Sequence, residues 1–251
     1  MTASILRIAG LRKSFGDTEI IRGVEFDLAP GERRALIGPN GAGKSTLFHL
    51  ISGNLAPTAG DIEFDGQPIG GRTPQRINRA GLARSFQITN IFPKLTVFEN
   101  IRLAVMRKHR LQYSVWRRIA WVPWLREATE QLLERVRLQQ RAQTLAGEMS
   151  YSEQRSLELA MTLASNPKLI LLDEPMAGMS SEETEYTMHL IREVTAGRAL
   201  LIVEHDMDVV FQLADRISVL VYGQVIATGT PEEIRRHQGV REAYLGEEVA
   251  A

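Results

Sequence analysis

The 251-residue sequence has no cysteine. That excludes disulfides, a thiol nucleophile and any Cys-ligated zinc or iron–sulfur centre, and it leaves the redox compartment open. It has no net charge, because 30 Lys and Arg balance 30 Asp and Glu. A protein held to nucleic acid chiefly by its overall field is therefore excluded, although a local basic patch is not. It has no long apolar run. Residues 169–172, 199–203 and 219–222 are the longest. None approaches the roughly 18–20 residues that a bilayer-spanning helix needs. The first 16 residues do not read as a signal peptide, since Arg7, Arg12 and Lys13 interrupt a short apolar stretch. Contact with a membrane is expected only through a partner or a surface patch. No internal repeat or low-complexity segment is visible.

What is present suits an ordinary globular chain: 44% hydrophobic and 24% charged residues. The length accommodates one compact domain, with or without a small lobe. Residues 4–9 and 24–28 alternate apolar and polar side chains, as half-buried antiparallel strands do. Residues 34–38, 168–173, 199–204 and 217–222 are near-continuous apolar runs, the pattern of strands buried on both faces of a parallel sheet. Between them, Leu47, Leu50 and Ile51 share a helical face that Gly53 ends. Leu157, Ala160, Met161 and Ala164 repeat at helical spacing until Pro167. The alternation predicts an α/β core with helices on both faces. About 87–166 lacks a strong strand run and carries helical spacing through 127–138. It is read as a helical lobe inserted between core segments at about 1–86 and 167–235, with a tail from about 236. Thr230 and Pro231 predict a capped helix start.

The sequence Gly38-Pro39-Asn40-Gly41-Ala42-Gly43-Lys44-Ser45-Thr46 fits the phosphate-binding loop G-x-x-x-x-G-K-[ST]. Its glycines let backbone N–H groups turn toward phosphates, Lys44 reaches the terminal phosphates, and the Ser45 hydroxyl suits Mg²⁺. A strand before it and a helix after it are the context this loop requires. The run ending in Asp173-Glu174 places two carboxylates at the C-terminal end of a strand, the edge that faces ligands in nucleotide-binding folds. Asp173 suits Mg²⁺ and Glu174 suits a general base. Either motif alone has a bland explanation: a glycine turn with a surface lysine, or acids ending a strand.

Further segments, in order, resemble the ATP-binding subunit of ABC transporters over nearly the whole chain, from about residue 6 to 246. Phe15 lies where that family has an adenine-stacking aromatic. Gln87, in Ser85-Phe86-Gln87, matches the loop glutamine that senses Mg²⁺ and meets the membrane subunit. Ser150-Tyr151-Ser152-Glu153 stands where the signature L-S-G-G-Q stands. Ala177-Gly178-Met179-Ser180 occupies the loop after the catalytic acid. His205, in Glu204-His205-Asp206, matches the switch histidine that contacts the γ-phosphate. Singly, a His after a strand or a Phe near one is more often structural. The ordered set is what selects the functional reading.

The resemblance implies a P-loop NTPase of the ABC type: a mostly parallel sheet, an N-terminal antiparallel β subdomain and the inserted helical subdomain. It implies Mg²⁺-dependent ATP hydrolysis in a dimer, with each ATP between the phosphate loop of one subunit and the signature serine of the other. Glu174, His205 and Gln87 would be catalytic, and Ser45, Gln87 and Asp173 would hold Mg²⁺. The helical lobe would meet permease subunits at the cytoplasmic face of the inner membrane, and a periplasmic binding protein would act indirectly. No nucleic-acid partner is implied.

Residues 83–100, 173–179, 204–207 and 240–246 are similar to the branch that imports branched-chain amino acids and related compounds such as amides or urea. In that branch a Tyr follows the signature serine, as Tyr151 does here. The lipopolysaccharide-export ATPase, with a similar Tyr-Leu-Gly end, is the alternative transporter. DNA-repair relatives carry long coiled-coil insertions, for which this lobe is too short. Translation-type relatives carry two phosphate loops, and here there is one.

Two positions depart from the family pattern. Ser152 stands where a glycine is usual and adds a Cβ close to where phosphate would lie. Ser180 stands where an acid or amide is usual. Together they favour a heterodimer in which this chain's own phosphate loop is competent and the signature it lends is weaker. A homodimer, with serine simply tolerated, is the other reading. Residues 105–126 collect all three tryptophans (Trp116, Trp121, Trp124) with six Lys and Arg and no acid. That composition suits a bilayer interface or an ordinary solvated helix face.

Overall fold

A computed structural model describes residues 4–85, 91–108 and 123–242. Within them the chain forms two compact units. The first takes Met1–Arg84, Lys168–Glu174 and Thr195–Ala251, and the second takes Ser85–Pro167 and Pro175–Val194.

The first unit holds both sheets. Strands β1 (Leu6–Phe15), β2 (Thr18–Leu28), β4 (Ala59–Phe64) and β5 (Gln67–Pro68) make an antiparallel sheet in the order β2-β1-β4-β5. Strands β3 (Arg33–Ile37), β6 (Leu82–Arg84), β7 (Leu169–Asp173), β8 (Ala199–Val203), β9 (Arg216–Val221) and β10 (Gln224–Gly229) make the second, in the order β10-β9-β3-β8-β7-β6. Five of its strands run parallel and β10 is the antiparallel edge. Every residue of β7 and β8 is buried. Apolar side chains on both faces of a strand are stable only when both faces are covered, which is why these runs fold as central strands.

Helix α1 (Lys44–Ile51) leaves the loop after β3 and buries Leu47, Phe48, Leu50 and Ile51. These side chains join one core with Leu6, Ile8, Ile62 and Phe64 of the antiparallel sheet and Leu36, Leu171, Leu201 and Val203 of the parallel one. Short helix α2 (Pro74–Ala80) precedes β6. Helix α7 (Met207–Leu213) starts on Asp206, whose side chain accepts from the N–H of Asp208 and Val209. Helix α8 (Pro231–Arg236) is capped by Thr230 with Pro231 in its first turn, as the sequence predicts.

The second unit is helical: α3 (Val97–Lys108), α4 (Pro123–Arg135), α5 (Tyr151–Leu163) and α6 (Ser181–Val194). The periodicity through 127–138 corresponds to α4, which begins and ends earlier because Pro123 can open a helix and Arg137 takes a positive φ of 58°. Among the described residues no helix is long and apolar enough to cross a membrane. Residues 109–122, with Trp116 and Trp121, and the Tyr244-Leu245-Gly246 end lie outside the described residues. Trp124, in α4, is 40% exposed.

Candidate functional site

The phosphate-loop motif spans the end of β3 to α1. A Cβ on Gly38 would lie 2.0 Å from the Leu220 carbonyl oxygen, so only glycine lets the loop pass β9 at that distance. Gly43 is the N-cap of α1 with φ 104°, in the left-handed region that side chains avoid. No side chain caps α1 and its first turn holds no acid, so its free N–H groups are left for an anion. The Lys44 ammonium is turned back on the loop and donates to the carbonyl oxygens of Gly38 (2.6 Å) and Pro39 (3.1 Å). Burial lowers the Lys44 pKa from its ordinary value, and the charges of Glu174 and Asp173 oppose that shift.

The two carboxylates emerge at the end of β7. Asp173 is in register with Val203 of the parallel neighbour β8, and the Glu174 N–H extends that ladder to the Val203 carbonyl at 2.9 Å. Glu174 has a positive φ of 48°, uncommon for a residue with a side chain. Its Oε1 lies 2.8 Å from Nε2 of His205. His205 follows β8, and its backbone N–H donates to the Glu204 carboxylate. The structure thus joins two residues separated by 31 positions that the sequence could place only one at a time.

Asp173 is buried. Its Oδ2 accepts from the Arg84 guanidinium at 2.7 Å, and the two side chains are 6% and 1% exposed, Arg84 first. The same guanidinium donates to Ser52 Oγ (3.1 Å) and to His49 Nδ1 (3.2 Å) at the end of α1. Burial, and then the Arg84 charge, lower the His49 pKa below its ordinary value. Asp173 Oδ1 is buried without a hydrogen-bond partner. A hard divalent cation takes oxygen donors of this kind, and Mg²⁺ commonly binds one or two carboxylates together with substrate phosphates. The free oxygen of Asp173 and the Ser45 hydroxyl fit such an ion. Gln87, the third expected ligand, lies outside the described residues. Phe15 ends β1 and is 48% exposed, with Lys13 Nζ 5.0 Å from its ring centre. Its ring is therefore not spent on the core.

The signature segment lies in the helical unit. Ser150 is the N-cap of α5 in a reciprocal capping box. Its Oγ accepts from the Glu153 N–H (3.3 Å), and Glu153 accepts from the Ser150 N–H (2.9 Å). Arg141 donates to Glu153 at 2.7 Å. Burial pushes the Glu153 pKa up, but the Ser150 N–H and Arg141 outweigh it and hold the carboxyl below its ordinary range. Ser152 Oγ is 3.2 Å from Ser150 Oγ, and the Tyr151 hydroxyl accepts two bonds from Arg155 (2.7 and 3.1 Å).

Ser180 has a local role that the sequence reading missed. It forms a second capping box with Glu183, which accepts from the Ser180 N–H (3.0 Å) and hydroxyl (3.1 Å). These bonds, with one from the Ser152 hydroxyl, lower the Glu183 pKa. The spacing Ser-x-x-Glu at 180–183 carried that signal. Arg84, also missed, had no comparable signal, because its partner is 89 residues away.

The chain is similar to known proteins over nearly its whole length. The profile of the ABC transporter family matches residues 21–177, and that of the branched-chain amino acid ATP-binding cassette transporter matches residues 224–250. The high-affinity branched-chain amino acid transport ATP-binding protein LivG of Escherichia coli is 37% identical, covering 98% of this chain and 100% of its own. BraF of Pseudomonas aeruginosa, described in the same words, is 36% identical with the same coverage. A nucleotide-free ATP-binding cassette from an ABC transporter superposes with TM-score 0.83 at 30% identity, over 96% of this chain and 99% of its own. The ADP conformation of an ATP-binding cassette superposes with TM-score 0.82 at 30% identity, over 98% of this chain and 100% of its own.

Proposed function

The chain belongs to the ABC transporter family as an ATP-hydrolysing subunit, and on that premise we propose that it powers the import of branched-chain amino acids or closely related small compounds such as amides or urea. The observation that carries this reading is the near full-length similarity to LivG and BraF. The C-terminal match at 224–250 supports it, since that stretch lies outside the general ATPase motifs.

In this reading Phe15 stacks on adenine and residues 38–46 cradle the phosphates. Lys44 exchanges its two loop carbonyls for phosphate oxygens. Ser45, Asp173 and Gln87 would hold Mg²⁺, which when bound would neutralise charge on the phosphates. Glu174 accepts a proton from the water whose oxygen attacks the γ-phosphorus, and ADP leaves with the electron pair of the broken P–O bond. His205, at 2.8 Å from Glu174, orients that carboxylate and reaches the γ-phosphate. Ser150, Tyr151, Ser152 and Glu153 act on the ATP of a second ATPase subunit, and the helical unit engages permease subunits at the cytoplasmic face of the membrane.

The dimer in this reading is a heterodimer, with a periplasmic binding protein delivering substrate to the permeases. Ser152 supports the asymmetry: its hydroxyl is engaged with Ser150 and Glu183 at the start of the signature helix. Ser152→Gly should raise the ATPase rate of the assembled complex, and an unchanged rate would remove the case for a weakened site. Affinity purification of the tagged chain from detergent-solubilised native membranes, with mass spectrometry of co-purifying chains, tests the assembly. Two hydrophobic permeases and a second ATPase are expected. Recovery without any integral membrane protein would overturn the transport reading.

A further inference from the structure

We propose that Arg84 is a positioning residue for the metal: it clamps one oxygen of Asp173 so that the other is the oxygen presented to the Mg²⁺ of bound ATP. The inference rests on the reading in which Asp173 holds that ion.

Four observations carry it. The Arg84–Asp173 contact is short, 2.7 Å, and both side chains are almost wholly buried. A charge-assisted bond in such surroundings is strong and directional. It occupies Oδ2 and leaves Oδ1 buried without a partner. The guanidinium is also held on its other side through Nη1, while its Nε is buried with no hydrogen-bond partner. It donates to Ser52 and His49 and lies 5.7 Å from the Phe48 ring centre. Arg accepts no hydrogen bonds, so His49 Nδ1 must be the acceptor, which fixes that ring's tautomer. Those three anchors belong to α1 and its C-cap, the helix that begins in the phosphate loop. One planar group therefore ties the acid that ends β7 to the helix that starts at Lys44. Asp173 and the phosphate loop would have to be held in register if residues of both are to hold one metal.

Lysine cannot reproduce this arrangement. It carries the same charge, but it is a point donor on a flexible stem and cannot span Asp173, Ser52 and His49 as a rigid fork. Arg84→Lys therefore separates positioning from charge. Partners that orient metal ligands typically change metal affinity by about 10–100-fold when lost.

The test is Mn²⁺ binding to the full-length, ATP-loaded chain, followed by electron paramagnetic resonance, beside ATP binding in EDTA. Arg84→Lys should weaken metal binding by about 10–100-fold and leave metal-free ATP binding unchanged. Unchanged metal affinity would overturn the proposal. So would an equal loss of metal-free ATP binding, which would mark Arg84 as a strut for the fold alone. Should Arg84→Lys fail to fold, Ser52→Ala keeps the ion pair and removes one anchor. It should weaken metal binding a few-fold, and no change there would also overturn the proposal. Asp173→Asn is the control for the premise. If it retains the metal affinity of the wild type, the assignment of Asp173 falls, and this inference with it.

Discussion

At the phosphate-loop site of the first unit, Lys44 and Asp173 are buried, Glu174 and His205 reach solvent, and each charge is already answered from within. Lys44 is bonded to two loop carbonyls, Asp173 to Arg84, and Glu174 to His205. At the signature end of the helical unit the groups are exposed hydroxyls and carboxylates that cap helices, Ser150 with Glu153 and Ser180 with Glu183. The first region holds groups that can move a proton or grip a metal. The second holds hydroxyls engaged within their own helices, with N–H groups and with the side chains of Ser152 and Glu183. Losses of the charged groups in the first region should therefore strike chemistry while the fold survives, and losses in the second should strike local helix stability.

The largest expected effect is Glu174→Gln. Turnover, measured as phosphate release, should fall by about 10²–10⁴, the range for losing a general base, while ATP still binds. Undiminished release would break the comparison at its strongest point. Gly38→Ala comes next. Its Cβ meets the Leu220 carbonyl oxygen at 2.0 Å, and overpacking of this kind costs about 1–3 kcal/mol. A melting temperature lower by roughly 2–12 °C, with weakened ATP binding, is expected. Ser150→Ala removes a cap worth about 1 kcal/mol, or roughly 2–4 °C, and should leave ATP binding untouched.

The smallest effect is in pH. Because the Glu153 pKa is lowered in the folded chain, its contribution is complete above the ordinary glutamate range and disappears as pH falls through the lowered value. The difference in melting temperature between wild type and Glu153→Gln should therefore hold constant from neutral pH to about pH 5 and shrink below. A difference independent of pH would show that the carboxylate charge contributes nothing to the cap.

The same contrast governs how much could be read in advance. Strands β3, β7, β8 and β9 were legible because burial on both faces leaves an unbroken apolar run. Strand β4 was not, because only Ile62 and Phe64 of its six residues are buried, and β6 is three residues long. Strands β1 and β2 extend further than their alternation suggests, because register shifts between Ile8 and Leu11 and between Leu11 and Arg12 break the period of two. The site residues in contiguous motifs were legible individually, and their spacing said nothing of who touches whom. The Arg84–Asp173 and Glu174–His205 contacts arise from parallel strand order, which brings β6 beside β7 and β7 beside β8. Phe15 was the ambiguous case, and its half exposure at the end of β1 separates it from the core phenylalanines.

The left-handed backbone at Glu174 also bears on how the sequence can drift. Glycine would occupy a φ of 48° without strain, whereas a residue with a side chain held there costs on the order of 1–3 kcal/mol. A chain freed from the need to hydrolyse ATP would thus gain stability by discarding this carboxylate. Persistence of glutamate at the position in descendants of this chain would report on use, and its replacement by glycine would date the loss of that use.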